Sequence, residues 1–309
     1  MNEYLLSLLL GIIEGLTEFL PVSSTAHLRV AEALLGVSLS SGYWKMYTIV
    51  IQLGAILCLP IYFRRRIAEF IATFPRGRNG RHTIITHPLG LTLIAFFFTA
   101  IPSVLLTKRI GKNLESLYVM AISLIVGGVI MWIVDALFGS TRSISVRALG
   151  ATATGPVEVM VPAEAEHKTD DMEEMSLGQA VWIGLCQVAA AVFPGTSRSM
   201  ATIAGGQLAG MSRKAALEFS FFLSIPTMAA ATGYDFIKSL RHAQSGAELG
   251  VAPHDLHGWI VLAIGFVVSF VVAYAVVAWF MNWVRTRGFA AFAIYRILAG
   301  CALLWWVMR

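Results

Sequence analysis

The sequence predicts an all-α integral membrane protein, an inverted-topology repeat with about six transmembrane helices and two re-entrant helix-turn-helix hairpins. Three observations predict it. Of 309 residues, 57% are hydrophobic and only 13% charged, and the mean hydropathy is +0.72; soluble proteins carry roughly a quarter charged residues. Apolar runs of about 20 residues recur, long enough to cross a bilayer as helices. Two short stretches, 11–27 (G-I-I-E-G-L-T-E-F-L-P-V-S-S-T-A-H) and 184–199 (G-L-C-Q-V-A-A-A-V-F-P-G-T-S-R-S), read as copies of one another. At a fixed offset Gly11 meets Gly184, Glu14 meets Gln187, Pro21 meets Pro194 and Ser24 meets Ser197. Similar tails follow, Leu35-Gly36-Val37-Ser38 and Ala209-Gly210-Met211-Ser212.

The first repeat is expected over 1–138, a hairpin at 1–40 followed by three spans. Glu14, Glu18, Pro21, His27 and Arg29 break the first segment too often for it to span lipid, since each charge at mid-bilayer costs about 3 kcal/mol on insertion scales. A re-entrant turn around residues 20–24 fits, because non-helical backbone at membrane depth survives only inside protein or beside a water-filled cavity. Spans follow at 44–63, 88–107 and 117–138. Six arginines between Arg64 and Arg81 place that loop in the cytoplasm. The basic turn with Lys108, Arg109 and Lys112 weakly opposes the rule, and the larger cluster dominates. Residues 139–178 are a polar stretch, acidic from Glu164 to Glu174, expected to be a mobile cytoplasmic connector.

The second repeat is expected over 179–309, a hairpin at 179–211 and spans at 215–238, 258–283 and 289–307. Counting crossings starts the two hairpins on opposite sides and leaves both termini outside. Arg213, Lys214, Arg285 and Arg287 then fall in the cytoplasm. Trp44, Trp259, Trp283, Trp305 and Trp306 lie near span ends, as an interfacial belt requires. The net charge of +5 is spread between apolar spans, so it orients the chain in lipid, and no nucleic-acid partner is expected. Asn2-Glu3 is no basic leader, so a signal peptide is not expected. Cys58, Cys186 and Cys301 lack metal-ligand spacing and read as buried small hydrophobes. Gln52 and Glu218 read as interhelical hydrogen-bonding groups. Metal binding at His254, Asp255 and His257, in an outer loop near Pro253, is a minor alternative.

The chemistry differs between the two copies. Glu14 and Glu18 are four apart and share one helix face. Two carboxylates there repel unless an arginine, a shared proton or a divalent cation, Mg2+ or Ca2+, relieves them. Ser24 and His27 are three apart on the returning helix, and a histidine in reach of a serine serves as its base or as an acid for a leaving group. The second copy offers Ser197, Arg198, Ser199 and Thr202 at a helix start, an expected phosphate cradle. The bland alternatives are N-capping hydroxyls and an ion pair of Arg198 with Glu14 or Glu18.

With these residues the sequence resembles the undecaprenyl pyrophosphate phosphatase family of bacterial membranes. The resemblance rests on E-G-L-T-E-F-L-P-V-S-S-T-A-H at 14–27 and P-G-T-S-R-S-M-A-T at 194–202. I-Q-L-G-A-I at 51–56, E-F-S-F-F-L-S-I-P at 218–226 and A-I-Y-R at 293–296 support it. It implies hydrolysis of undecaprenyl pyrophosphate to undecaprenyl phosphate and inorganic phosphate, which recycles the lipid carrier for peptidoglycan. It also implies bacitracin resistance, a divalent cation, and a multi-pass protein of the cytoplasmic membrane whose active site opens to the extracytoplasmic side. By motif position Glu14, Glu18, Ser24, His27, Ser197, Arg198 and Thr202 match residues that the family uses. The partners expected are a polyisoprenyl pyrophosphate and membrane lipids, with a homodimer as an open assembly state. A lipid-phosphate flippase or anion transporter is the competing class, since broken helices around an anion site suit it too. Glu14, Glu18, Ser24 and His27 discriminate, because binding alone requires no nucleophile.

Overall fold

The computed structural model describes residues 2–37, 42–110, 116–139, 143–146, 159–162, 169–243 and 255–309. The first half contains α1 (Glu3–Thr17), α2 (Ser24–Leu35), α3 (Gly42–Tyr62), α4 (Arg64–Thr73), α5 (Pro88–Ile110) and α6 (Leu117–Phe138). The second contains α7 (Leu177–Val192), α8 (Arg198–Leu208), α9 (Arg213–Ala243), α10 (Leu256–Arg287) and α11 (Ala290–Val307). Among the described residues six helices are long and apolar enough to cross a membrane, within α3, α5, α6, α9, α10 and α11. They match the six expected spans. The connector adds a feature the sequence did not announce, an antiparallel ribbon of β1 (Ser143–Val146) and β2 (Val159–Pro162). Glu164, Glu166, Lys112 and His254 lie outside the described residues.

The helix starts follow local chemistry. The Asn2 side chain caps α1 by accepting from the Tyr4 amide at 3.0 Å. Ser176 and Gln179 form a reciprocal capping box on α7, which satisfies two of the amides that every helix start leaves free. Gly36, at φ +66°, and Gly210, at φ +83°, follow α2 and α8 in the left-handed conformation that glycine adopts without a Cβ penalty.

Packing exchanges partners between the halves. Helix α1 packs on α10 while α7 packs on α5; α3 packs on α10 while α9 packs on α5; α6 packs on α11. Matching α1 with α7, α3 with α9, α5 with α10 and α6 with α11 turns each contact into its counterpart. Small residues allow the close approach. A Cβ on Gly11 would lie 2.9 Å from the Gly265 carbonyl oxygen of α10, and one on Gly184 would lie 3.0 Å from the Ala95 Cα of α5. Hydroxyls add interhelical bonds at the same two interfaces, Ser7 to the Val261 carbonyl at 2.6 Å and Thr99 to the Gly184 carbonyl at 2.8 Å. Gly11→Val is therefore expected to destabilise the fold by about 1–3 kcal/mol through overpacking. Thermal unfolding in detergent measures this, and an unchanged transition would show that the α1–α10 contact is loose.

Polar groups expected to bond between helices do so. Glu218 pairs with Arg66 Nε at 3.3 Å, and Gln52 Oε1 accepts from the Thr232 hydroxyl at 3.4 Å. Buried Asp135 accepts from Arg213 Nε at 2.7 Å and from the Phe289 amide at 2.9 Å, tying α6, α9 and the start of α11 together. Among the cysteines only Cys58 is the buried small hydrophobe expected; Cys186 is half-buried and Cys301 is exposed. His257 bonds Tyr4 and Glu3, and Asp255 caps α10, so these two residues of the outer loop are spent on helix packing.

Candidate active site

Both helical hairpins break where the sequence places a proline. Phe193, before Pro194, is extended at φ −114° and ψ 99°, as the residue preceding proline prefers. The new helices start at serines in a conformation unusual for any residue but glycine, Ser23 at φ 73° and Ser197 at φ 69°. Such backbone costs about 1–3 kcal/mol and collects at functional sites. The N-cap positions also correct the sequence alignment. Ser23 precedes α2 as Ser197 precedes α8, so Pro194 stands one residue further from its N-cap serine than Pro21 does. Ser24 is thus the structural mate of Arg198, not of Ser197. Each occupies the first turn of a returning helix, where free amides and the helix dipole favour an anion.

The two breaks meet at Glu18. Its Oε1 accepts from Arg198 Nη2 at 2.9 Å and its Oε2 accepts a short hydrogen bond from Ser24 Oγ. The Glu18 side chain is 5% exposed and that of Arg198 17%. Removing one partner of so buried a pair leaves an uncompensated charge. Glu14 lies one turn earlier on α1, 1% exposed, with both carboxylate oxygens lacking a hydrogen-bond partner.

Two adjoining cavities flank this junction. One, of about 330 Å³, is lined by Glu18, Ser23, Ser24, Ser197, Arg198 and Gln52, among others. The other, of about 230 Å³, is lined by Glu14, Ser24, Arg29, Lys45, Thr48 and Gln52, among others. Ser24, Thr25 and Gln52 belong to both, so the hydroxyl of Ser24 sits on their shared wall.

The other expected site residues are placed differently. His27 does not bond Ser24. Its Nδ1–H donates to the Ser23 carbonyl at 2.7 Å, which leaves Nε2 to accept from the Tyr295 hydroxyl at 2.6 Å. The group in reach of the Ser24 proton is Glu18. Ser199 and Thr202 line neither cavity; both are about 1% exposed, and the Thr202 hydroxyl meets Ser220 of α9 at 2.6 Å. They face the wrong way for a cradle, and Thr202 holds α8 against α9. Sequence reasoning missed Tyr295 as the partner of His27 and Gln52 as a lining residue. The only signal for Tyr295 was its place in A-I-Y-R, beside a charged residue in an apolar run.

Among the described residues no group of three or more His, Cys, Asp or Glu side chains is placed to hold a metal. Two carboxylates remain, Glu14 with free oxygens and Glu18 engaged. That donor set fits Mg2+ or Ca2+ completed by phosphate oxygens and water, since Mg2+ is commonly held by one or two carboxylates plus substrate phosphate. It does not fit a closed zinc site.

Fold and site together define a polytopic membrane protein with a buried carboxylate–serine–arginine centre. The family described as bacitracin resistance protein BacA matches residues 7–302, and the chain belongs to it. It is 63% identical to the undecaprenyl-diphosphatase of Koribacter versatilis (strain Ellin345), covering 100% of both chains. It is 36% identical to the undecaprenyl-diphosphatase of Caldanaerobacter subterraneus subsp. tengcongensis, covering 100% of this chain and 98% of the relative. It is also 38% identical to that of Rhizobium etli (strain CIAT 652), covering 98% and 96%.

Proposed function

We propose that the chain hydrolyses undecaprenyl pyrophosphate to undecaprenyl phosphate and inorganic phosphate. The observation that carries this reading is Glu18, which holds the Ser24 hydroxyl of one half and the Arg198 guanidinium of the other. An arriving diphosphate competes with Glu18 for Arg198 and meets Ser197 and the free amides of α2 and α8. Once Arg198 turns to phosphate, Glu18 is left as a free carboxylate against the Ser24 proton. Ser24 Oγ then attacks the terminal phosphorus, its proton passes to Glu18, and the bond from that phosphorus to the bridging oxygen breaks. Undecaprenyl phosphate leaves. The Glu18 proton goes to the bridging oxygen of the departing lipid phosphate. Water then attacks the phosphoserine and gives a proton to Glu18. The phosphorus–Oγ bond breaks, Ser24 Oγ takes that proton back, and inorganic phosphate leaves. Arg198 stabilises the charge on the equatorial oxygens in both steps.

Glu14, with Glu18, would hold a divalent cation, which when bound neutralises phosphate charge at the site. His27, with both ring nitrogens engaged by Tyr295 and the Ser23 carbonyl and outside the lining of both cavities, would support the turn that carries Ser24. Tyr295→Phe should lower kcat/KM about tenfold, roughly the worth of one hydrogen bond at this site. Steady-state kinetics tests it, and a wild-type value would show that His27 needs no such support.

The halves 1–138 and 179–309 are read as inverted repeats, because three spans separate the first hairpin from the connector. The smaller cavity is lined by Lys45 and Thr48 at the start of α3, at the end of that helix away from Arg64–Arg66. With the arginines in the cytoplasm, the site opens to the extracytoplasmic side of the bacterial cytoplasmic membrane. A homodimer remains compatible with this placement.

The experiment is phosphate release from a polyisoprenyl pyrophosphate by purified protein in detergent, with and without a chelator. Release that the chelator suppresses, and that Mg2+ or Ca2+ restores, supports both substrate and cation. Release indifferent to the chelator removes the cation. No release from folded protein removes the enzyme and favours a transporter of lipid phosphate.

A further inference from the structure

The largest fully buried side chain among the described residues is a cation, Arg296 of α11, at 0% exposure. No carboxylate among the described residues pairs with it; three backbone carbonyls receive it instead. Nη1 donates to Pro21 at 2.9 Å, and Nη2 donates to Gly195 and to Ser123 of α6, each at 3.1 Å. Pro21 lies in the first break and Gly195 in the second. Broken helices leave carbonyls without intrahelical donors, and inside a membrane these must be satisfied by protein or water. One guanidinium satisfies one from each break.

The neighbourhood is shaped for that fork. A Cβ on Gly127 of α6 would run into Nη2 and would lie 3.2 Å from Cζ of Arg296 and 2.7 Å from Cε of Met200. Glycine at this position admits the guanidinium to the groove. A lysine carries the same charge but lacks the planar, widely spaced donors needed to reach three carbonyls at once.

We propose that Arg296 is a positioning residue that clamps the two breaks together and so sets the spacing of Ser24 and Glu18 against Arg198. It touches none of the reacting groups. The clamp explains how catalytic residues from hairpins of opposite halves keep a common register when the Glu18–Arg198 pair opens for substrate. Only the kinetic part of the proposal rests on the phosphatase reading; the clamp itself is tested without turnover.

The test uses the full chain in detergent with R296K and, as a second variant that keeps Arg296 itself, G127A. Hydrogen exchange is followed at the amides of the non-proline residues of 20–24 and 193–198. Both variants are expected to speed exchange about tenfold or more at the two breaks together, while the middle of α10 stays protected. Faster exchange at one break alone, or at neither, overturns the clamp. In the phosphate-release assay, kcat per folded molecule should fall about a hundredfold, as a misplacement of about 1 Å does, with KM changed less than about threefold. A lower melting temperature with wild-type kcat in the folded fraction would make Arg296 merely structural and overturn the positioning role. Wild-type protein that releases no phosphate would sink the phosphatase reading, and the exchange measurement would still decide the clamp.

Discussion

Ser24→Ala is expected to lower kcat by about three orders of magnitude or more, because it removes the nucleophile and leaves only positioning and electrostatics. The hydroxyl lies on the wall between two cavities and already points at its base, Glu18. Substrate carrying a labelled terminal phosphate, quenched within one turnover, should leave label on Ser24 in the wild type and none in the variant. Packing is little affected, since the change removes one oxygen from a partly exposed position. A loss of only about tenfold, with no label trapped on the wild type, would assign the attack to water and leave Ser24 as a binding group.

Arg198→Ala should lower kcat/KM by about a hundred- to a thousandfold, the range for removing a donor that meets developing charge. Its Nη2 is the donor that holds Glu18 in the resting protein, and the same group faces the larger cavity. The variant also leaves Glu18 buried without its counter-ion, so a loss of about 3–5 kcal/mol in stability accompanies the kinetic effect. Arg198→Lys keeps the charge and should recover the stability more fully than the rate, because a point charge does not replace a planar fork on phosphate. Equal recovery of both would reduce Arg198 to a structural ion pair.

Much of the candidate site was legible because charge inside an apolar segment is costly. Glu14, Glu18 and Arg198 stood out for that reason, and all three line the cavities. The spans were legible from hydropathy alone. What a string of letters did not convey was helix phase and loop length. The extra residue between Pro194 and its N-cap serine shifts Arg198 into the place of Ser24, and the repeat alignment had no means of placing that gap. Ser199 and Thr202 follow Arg198 in sequence but turn away from it on the helix, into α9 and the core. The pairing of Ser24 with His27 assumed that residues three apart meet; the ring instead reaches Tyr295, far along the chain. Arg296 carried a visible charge in an apolar run, yet its acceptors are backbone carbonyls, which no residue type announces.

The central claim is that two hairpins from opposite halves form one catalytic unit through Glu18 and Arg198. A double-mutant cycle on kcat/KM for phosphate release, with Glu18→Gln, Arg198→Ala and the pair together, tests it most directly. Groups that act as a unit lose function non-additively. The double variant should therefore be no slower than the worse single variant, within about threefold. Losses that multiply across the two sites would show that Glu18 and Arg198 act independently and would contradict the single shared site.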